Sequence, residues 1–336
     1  MTGDFEAEFA APLDGMRVEL RGQLCIGGVS VGIAGGRNSD VIFDSEHERF
    51  RVETGASDIE LRVEWVSELA PTPGCTLFDS GTTWRLYQHE AGFQFDFGDP
   101  IAEGRPYKRL LVDRNFCRAG LQMSAEYFSA FPHAADPLGY PLDELLIMHR
   151  LTQERAIELH GCGIVRADGI GNLFVGHSGA GKSTTTQLWT EREDVEILSD
   201  DRIIVRRDEG PQIDIEEKQI PRSARNDKEI IGAARKFNMR MYGTPWHGEA
   251  MYASPNSAPL ARIFVLEHGQ GNVVTQLSPS QAVAELFARS FVPFHRHEYV
   301  ESALSFLEEV VGTVPVYRFL FEPDSRAVDT ILQFHD

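Results

Sequence analysis

The sequence contains few cysteines and no long apolar run, and these absences exclude several classes of protein. Its four cysteines are scattered over 336 residues without a C-x-x-C pair, which predicts neither a disulfide framework nor a cysteine-rich metal site. No stretch approaches the roughly 18 consecutive apolar residues that a membrane-spanning helix needs, and the acidic first residues do not resemble a secretory signal. We therefore expect a cytoplasmic protein with reduced thiols and no membrane as a partner.

Positive charge is also scarce. The chain has 32 lysines and arginines against 51 aspartates and glutamates, which gives a formal net charge of -19. Nucleic acids and anionic membranes carry charge of the same sign and would be repelled, so we predict no nucleic acid as a partner. A phosphate site must then be built locally, from a few side chains and backbone N–H groups.

The chain is long enough for two domains, and its hydrophobic pattern changes near residue 138. Domains usually contain about 100–200 residues, and 42% hydrophobic residues is an ordinary globular composition. Before the change, short segments such as 59–64 and 93–97 alternate apolar and polar residues, which predicts an antiparallel sheet with one buried face. We therefore predict a β-rich N-terminal domain over residues 1–138, of unknown role.

Residues 139–336 are predicted to form a second domain of the α/β class. Apolar residues recur with a helical period over 141–151. Further on, apolar segments such as 173–175 and 263–266 alternate with helical ones, of which 278–288 opens with a capping-box pattern. Strands that alternate with helices are typical of a nucleotide-binding core with a parallel sheet.

One motif indicates the kind of ligand. Residues 176–183 read G-H-S-G-A-G-K-S and match the phosphate-loop pattern G-x-x-x-x-G-K-[ST]. Glycines let backbone N–H groups point inward at an anion, and the following helix adds its positive N-terminal end. Lys182 can reach the β- and γ-phosphates, and Ser183 can ligate Mg²⁺. The predicted nucleotide-binding residues are Gly176, His177, Ser178, Gly179, Ala180, Gly181, Lys182, Ser183 and Thr184.

Two adjacent carboxylates follow the next apolar strand. Asp200 and Asp201 follow directly after the apolar segment 195–198 and Ser199. In a parallel sheet the carboxyl ends of strands share one edge, which would bring this pair to the phosphates. One carboxylate can then hold Mg²⁺ while the other accepts a proton from an attacking hydroxyl. Taken alone, an Asp-Asp pair is also a common turn at a strand end.

Three further features are candidates for the same site. His160 lies on the strand that pairs with the loop's own strand and could meet the phosphates, although a packed strand histidine is the alternative. Glu249, in the turn-like segment 243–249, could be a second metal carboxylate, and a structural turn is its alternative. The basic segment 218–240 could be a lid over phosphate charge or a solvated helix.

These residues resemble those of the HPr kinase/phosphorylase family, and more closely the HPr-kinase-related group. The resemblance covers the segments 159–161, 176–183, 199–202 and 243–249. It implies a C-terminal core with the fold shared by that family and phosphoenolpyruvate carboxykinases, with ATP and Mg²⁺ as cofactors. It also implies that Asp201 is the general base, that Asp200 contacts the metal and that His160 lines the site. A homo-oligomer is a further expectation from the family.

Two functions from different classes are compatible with this pattern. The first is a kinase that transfers the γ-phosphoryl group of ATP to a serine-type hydroxyl on a protein, peptide or small molecule. The second is a regulatory protein that binds or slowly hydrolyses a nucleoside triphosphate. A regulator needs one metal carboxylate, whereas a kinase also needs a base, so the Asp pair favours the kinase.

Overall fold

The computed structural model describes residues 20–35, 43–98, 105–131, 136–192, 194–207 and 238–334. The chain divides into two compact units, Met1–Arg150 and Leu151–Asp336. The boundary expected from the sequence, between 138 and 139, stays a prediction. Most of the basic segment 218–240, the predicted lid, lies outside the described residues.

The first unit contains an eight-stranded sheet in the order β1-β2-β3-β8-β7-β6-β5-β4. Its strands are β1 Leu20–Ile26, β2 Val29–Gly35, β3 Ile59–Val66, β4 Phe78–Asp79, β5 Trp84–His89, β6 Gly92–Gly98, β7 Pro106–Asp113 and β8 Arg118–Ser124. Its helices are α1 Ser45–Arg49, α2 Ala125–Ala130 and α3 Leu142–Leu151, which ends at the boundary.

Alternating burial explains why these segments form strands. Buried residues alternate with more exposed ones along β7 and along most of β3, as expected for strands with one face packed on a core. The predicted β-rich character and the predicted helix near 141–151 are confirmed. The expected antiparallel pairing holds for most of the sheet, but β3 runs parallel to both of its neighbours, β2 and β8.

The second unit carries nine strands and four helices among its described residues. The strands are β9 Ala156–Val165, β10 Gly171–Val175, β11 Glu196–Ser199, β12 Arg202–Arg207, β13 Met239–Tyr242, β14 Ser257–His268, β15 Val273–Gln276, β16 Ser290–Phe291 and β17 Val316–Phe321. The helices are α4 Lys182–Thr190, α5 Pro279–Phe287, α6 His297–Thr313 and α7 Ser325–Gln333. The capping box predicted at Ser278 is present at the start of α5.

Five of these strands close into a barrel. The ring runs β9, β12, β13, β14, β10 and back to β9. It closes because β9 and β14 are long enough to pair with different neighbours at their two ends. Among the described strands of this unit, only two pairs are parallel: β10 with β14, and β14 with β17. Their carboxyl ends therefore lie at one edge.

Apolar side chains on the two faces of these strands form two cores. Inward residues such as Leu173 and Val175 of β10 pack in a cluster that includes Leu286 of α5 and Leu307 of α6. The intervening Phe174 packs on the other face, in a cluster with residues of α4 and α7. Both cores follow from the period of two along a strand.

The predicted fold class is wrong. The protein is mostly β, with 40% strand and 25% helix, two large sheets and a five-stranded barrel, which does not match an α/β phosphate-loop kinase core. The pattern of strand, loop and helix is present around α4, but it does not extend to the strands β12 and β13, which pair antiparallel with their neighbours. Parallel neighbours need a crossover of a dozen or more residues. Here β9 pairs antiparallel with β10 and β12, and β13 pairs antiparallel with β12 and β14, so parallel pairing is confined to β10, β14 and β17 among the described strands of this unit.

Candidate functional site

The segment between β10 and α4 forms a tight glycine loop (residues 176–181). Gly179 and Gly181 have φ angles of 79° and 100°, a region that side chains with a Cβ avoid. A Cβ on Gly176 would lie 2.7 Å from that of Ala180, and one on Gly181 would lie 2.4 Å from Cζ of Phe321. The sequence therefore needs glycine at the first position of the loop for space, and at the last position for both space and backbone geometry.

Lys182, the first residue of α4, places a buried ammonium beneath this loop. Its side chain donates to the carbonyls of Gly176 at 3.0 Å and His177 at 3.2 Å, and the residue is 7% exposed. Among the described residues it makes no ion pair. Burial lowers the pKa of Lys182, against an opposing effect of the Asp201 charge. A buried cation whose direct partners are neutral favours the binding of an anion here.

The helix end adds donors that suit the same anion. The N–H of Thr185 bonds to the carbonyl of Gly181, and the N–H groups before it, at the start of the helix, have no partner within α4. The side chains of Ser183, His177 and Ser178 are exposed and that of Thr184 is half-buried. The exposed Ser183 hydroxyl is an oxygen ligand that Mg²⁺ accepts.

Asp201 forms a network with two basic side chains beside the loop. Its Oδ1 lies 2.9 Å from Nε2 of His160, and its Oδ2 accepts from the guanidinium of Arg202. Burial alone would raise the pKa of Asp201, but the His160 hydrogen bond and the charges of Arg202, His160 and Lys182 together lower it. Asp201 is therefore a carboxylate at neutral pH.

The central strand β9 brings this network to the glycine loop. The N–H of Gly176 bonds to the carbonyl of His160, and the N–H of Gly161 bonds to the carbonyl of Asp201. The strands β10 and β11 each pair antiparallel with β9, so they run in the same direction without pairing with each other. The sequence predicted a parallel sheet whose strand ends share one edge, whereas in the structure β9 lies between the two strands and pairs with each.

Arg202 was not identified from the sequence. Its Nε lies 3.4 Å from Oε1 of the buried Glu158, and its guanidinium lies over the Phe291 ring at 4.1 Å from the centroid. Arg202 also pairs with His160 across the strands. Glu158 and His160 lie two positions apart on β9, and this spacing predicts that they share a face. It is the sequence signal for the group of side chains around Arg202.

Asp200 points elsewhere and is almost fully buried, at 1% exposure. Its Oδ1 accepts from the N–H groups of Gly248 at 3.0 Å and Tyr252 at 3.1 Å, and its Oδ2 accepts from Ala250 at 2.9 Å. A Cβ on Gly248 would lie 2.8 Å from Oδ2. These contacts hold the segment 248–252 (the anchored loop) on the end of β11. The predicted metal contact of Asp200 stays a prediction.

Glu249 lies in the anchored loop with an exposed side chain. Among the described residues it makes no hydrogen bond or ion pair, and its predicted metal role stays a prediction. His247, just before this loop, lies with its Nδ1 3.1 Å from the carbonyl of Gly248. The structure therefore brings together the glycine loop, Asp201 and His160, and it gives Asp200 a different set of partners.

A second charged cluster lies in the first unit. Asp44, His47 and Asp136 offer potential metal-ligand atoms within 4.8 Å of one another. However, the ring nitrogens of His47 already lie 2.8 Å from Asp136 and 3.0 Å from Asp143. Burial alone would lower the pKa of His47, but the two carboxylates raise it to about 10. With Lys108 bonded to the Asp136 carbonyl, the cluster is an internally paired ionic group.

Comparisons with known proteins give no family for the chain. No family model matches it, and no curated protein matches it. Within the part of the chain that the structure describes, no helix combines the length and the apolar character that crossing a membrane requires.

Proposed function

We propose that the chain is an ATP-dependent phosphotransferase whose site is the glycine loop with Lys182, Asp201 and His160. The observation that carries this proposal is the buried Lys182 ammonium, which donates to two loop carbonyls and, within the described parts of the chain, to no carboxylate. A triphosphate supplies the missing negative charge. Its terminal phosphate, bound by Lys182, would lie near Asp201, the carboxylate whose charge opposes the lowering of the Lys182 pKa.

The residues present are compatible with Mg²⁺ bound together with ATP. The Ser183 hydroxyl and phosphate oxygens are the hard oxygen ligands that Mg²⁺ prefers. When bound, the ion supplies charge neutralisation for the phosphates. Asp201 is a further candidate oxygen ligand in the described part of the site, although both of its carboxylate oxygens already have basic partners.

In the proposed reaction the acceptor's hydroxyl oxygen attacks the γ-phosphorus. The bond between that phosphorus and the β,γ-bridging oxygen breaks, and ADP leaves. The hydroxyl proton passes to the Asp201 carboxylate, which His160 orients through Oδ1. Arg202 holds Oδ2 and is itself fixed by Glu158 and Phe291. Lys182 keeps the transferred group in position, and such positioning is the main source of catalysis in phosphoryl transfer.

A nucleotide-binding regulator is the second candidate, and one observation favours it. The two basic partners of Asp201 lower its pKa, and a carboxylate with a lower pKa is a weaker general base. Under this alternative the same loop binds the nucleotide, but little phosphate is transferred. The two candidates therefore share the binding step and differ in the acceptor step.

The binding step is tested with Lys182→Ala. We expect the variant to lose about 1.5–3 kcal/mol of ATP binding free energy, because it lacks the charge-assisted contact to the phosphates. Isothermal titration calorimetry with Mg²⁺–ATP measures this loss. Equal affinity in variant and parent would contradict both candidates.

The transfer step is tested with Asp201→Asn and Asp200→Asn, using radiolabelled γ-phosphate and a panel of hydroxyl acceptors and lysate. Loss of a general base costs roughly 10²–10⁴ in rate, so Asp201→Asn should bind Mg²⁺–ATP and fail to phosphorylate. A shifted Mg²⁺ dependence in Asp200→Asn would support its predicted metal role. If neither substitution changes any turnover, the kinase fails and the regulator remains.

A further inference from the structure

His268 lies at the glycine loop although no sequence motif includes it. It is the last residue of β14, which lies between β10 and β17. Because these three strands are parallel, their carboxyl ends meet at one edge. His268 is exposed. Its Nε2 lies 3.1 Å from the carbonyl oxygen of Gly179, and its ring stacks on that of Phe321 with 5.3 Å between the centroids.

This contact falls on a loop residue that has no close side-chain neighbours. Gly179 has a positive φ of 79°, and an added Cβ would meet nothing within 4 Å. The peptide that carries this carbonyl is therefore held by hydrogen bonds: its N–H, that of Ala180, donates to the carbonyl of His177, and its carbonyl lies against His268. If this peptide rotated, the Gly179 carbonyl oxygen would turn towards the phosphates and repel them. A hydrogen-bond donor on the outer side of the loop, as His268 provides, opposes this rotation.

The neighbouring carbonyls are held by another residue. Lys182 binds the carbonyls of Gly176 and His177, and Ala180 donates its N–H to His177. Among the described residues, His268 is the side chain that binds the carbonyl of Gly179. Since a carbonyl only accepts, Nε2 of His268 carries the proton in this contact.

We infer that His268 is a positioning residue of the glycine loop. Its Nε2–H holds the Gly179 carbonyl outward, and Phe321 holds the ring, so that this carbonyl oxygen does not turn towards the phosphates. The inference rests on the proposed nucleotide binding. Because His268 acts through a loop carbonyl, we expect its effect to concern polyphosphates in general.

The experiment uses the full chain and compares Mg²⁺–ATP with Mg²⁺–tripolyphosphate by calorimetry. The set is His268→Ala, His268→Phe, which keeps a ring on Phe321 but has no donor, and His268→Gln, which keeps a donor. We expect the Ala and Phe variants to bind both ligands about three- to tenfold more weakly, as for loss of one hydrogen bond. His268→Gln should recover most of the affinity. His297→Ala is the control, because that side chain is 82% exposed on α6.

The outcomes separate this inference from the proposed function. If the parent binds neither ligand, the proposed function fails and the inference with it. If the parent binds both and His268→Ala binds them equally well, the inference alone is wrong. A loss confined to ATP would make His268 a nucleoside contact and overturn the positioning role. If the His268 variants have a lower melting temperature but an unchanged affinity for both ligands, His268 has a purely structural role, and the positioning role is also overturned.

Discussion

At the scale of single residues, neighbouring aspartates acquire different roles from the side of the strand on which each lies. Asp200 accepts three backbone N–H bonds of the anchored loop, whereas Asp201 bonds to His160 and Arg202. Consecutive side chains at a strand end point to opposite sides. A carboxylate bound by backbone amides organises structure, whereas one bound by side chains at the surface of a site can accept a proton from a ligand. Under the proposed function, Asp201 is therefore the group that we expect to accept the proton.

The buried histidine of the first unit gives a pH prediction. The pKa of His47 is raised to about 10 from 6.5, so its stabilisation is fully present below pH 6.5 and is lost as the pH rises towards 10. We expect the stability of the parent relative to His47→Gln to fall with pH, by up to about 1.4 kcal/mol per unit. Urea unfolding of both proteins between pH 6.5 and 8 measures this difference.

The upper limit of pH 8 avoids Lys108. Burial lowers the pKa of that lysine to about 8, and a lowered lysine pKa makes stability rise with pH above that value, which is the opposite sign. Parallel pH profiles for the parent and His47→Gln would show that His47 is not charged in the folded state.

At the scale of elements, the glycine loop depends on the strand edge on which it lies. β10 supplies its start, α4 its end, and the ends of β14 and β17 supply His268 and Phe321 as its outer wall. The anchored loop is attached to the end of β11 in a similar way, by bonds from its backbone to one carboxylate. In both cases a flexible segment is held by a rigid sheet, which suits a site that must keep its donors in place.

Gly181→Ala tests this dependence. At φ 100°, and with Cζ of Phe321 at 2.4 Å from the new Cβ, the variant must distort the loop, so we expect it to lose ATP binding. Gly169→Ala is the matched control, because Gly169 has φ 75° but nothing within 4 Å of its Cβ. The control should lose about 1 kcal/mol of stability through backbone strain and bind ATP normally. Equal binding by both variants would contradict the tight packing of the loop.

At the scale of the whole molecule, the proposed site lies within one unit. The glycine loop, His160, Asp201, Arg202 and His268 all belong to Leu151–Asp336. That unit also contains two apolar clusters made entirely of its own residues. A unit with its own core can in principle fold alone.

We therefore expect a protein of residues 151–336 to unfold cooperatively and to bind Mg²⁺–ATP with the affinity of the full chain. Thermal unfolding followed by circular dichroism and calorimetric titration measure the two properties. A cooperative transition without ATP binding would show that residues 1–150 contribute to the site. A protein without any transition would show that the second unit depends on the first for folding.

The sequence by itself determined the parts of this protein that are local in the chain. The motif at 176–183 predicted a glycine loop between a strand and a helix, and Ser278 predicted a helix start, because turn and capping chemistry act over a few residues. The tertiary structure decided the fold class, since strand direction depends on which segments pair. It also decided the contacts of Asp200 and His268, whose partners lie about 50 and 89 positions away. No local pattern encodes such contacts, because they arise only when segments far apart in the sequence pack side by side.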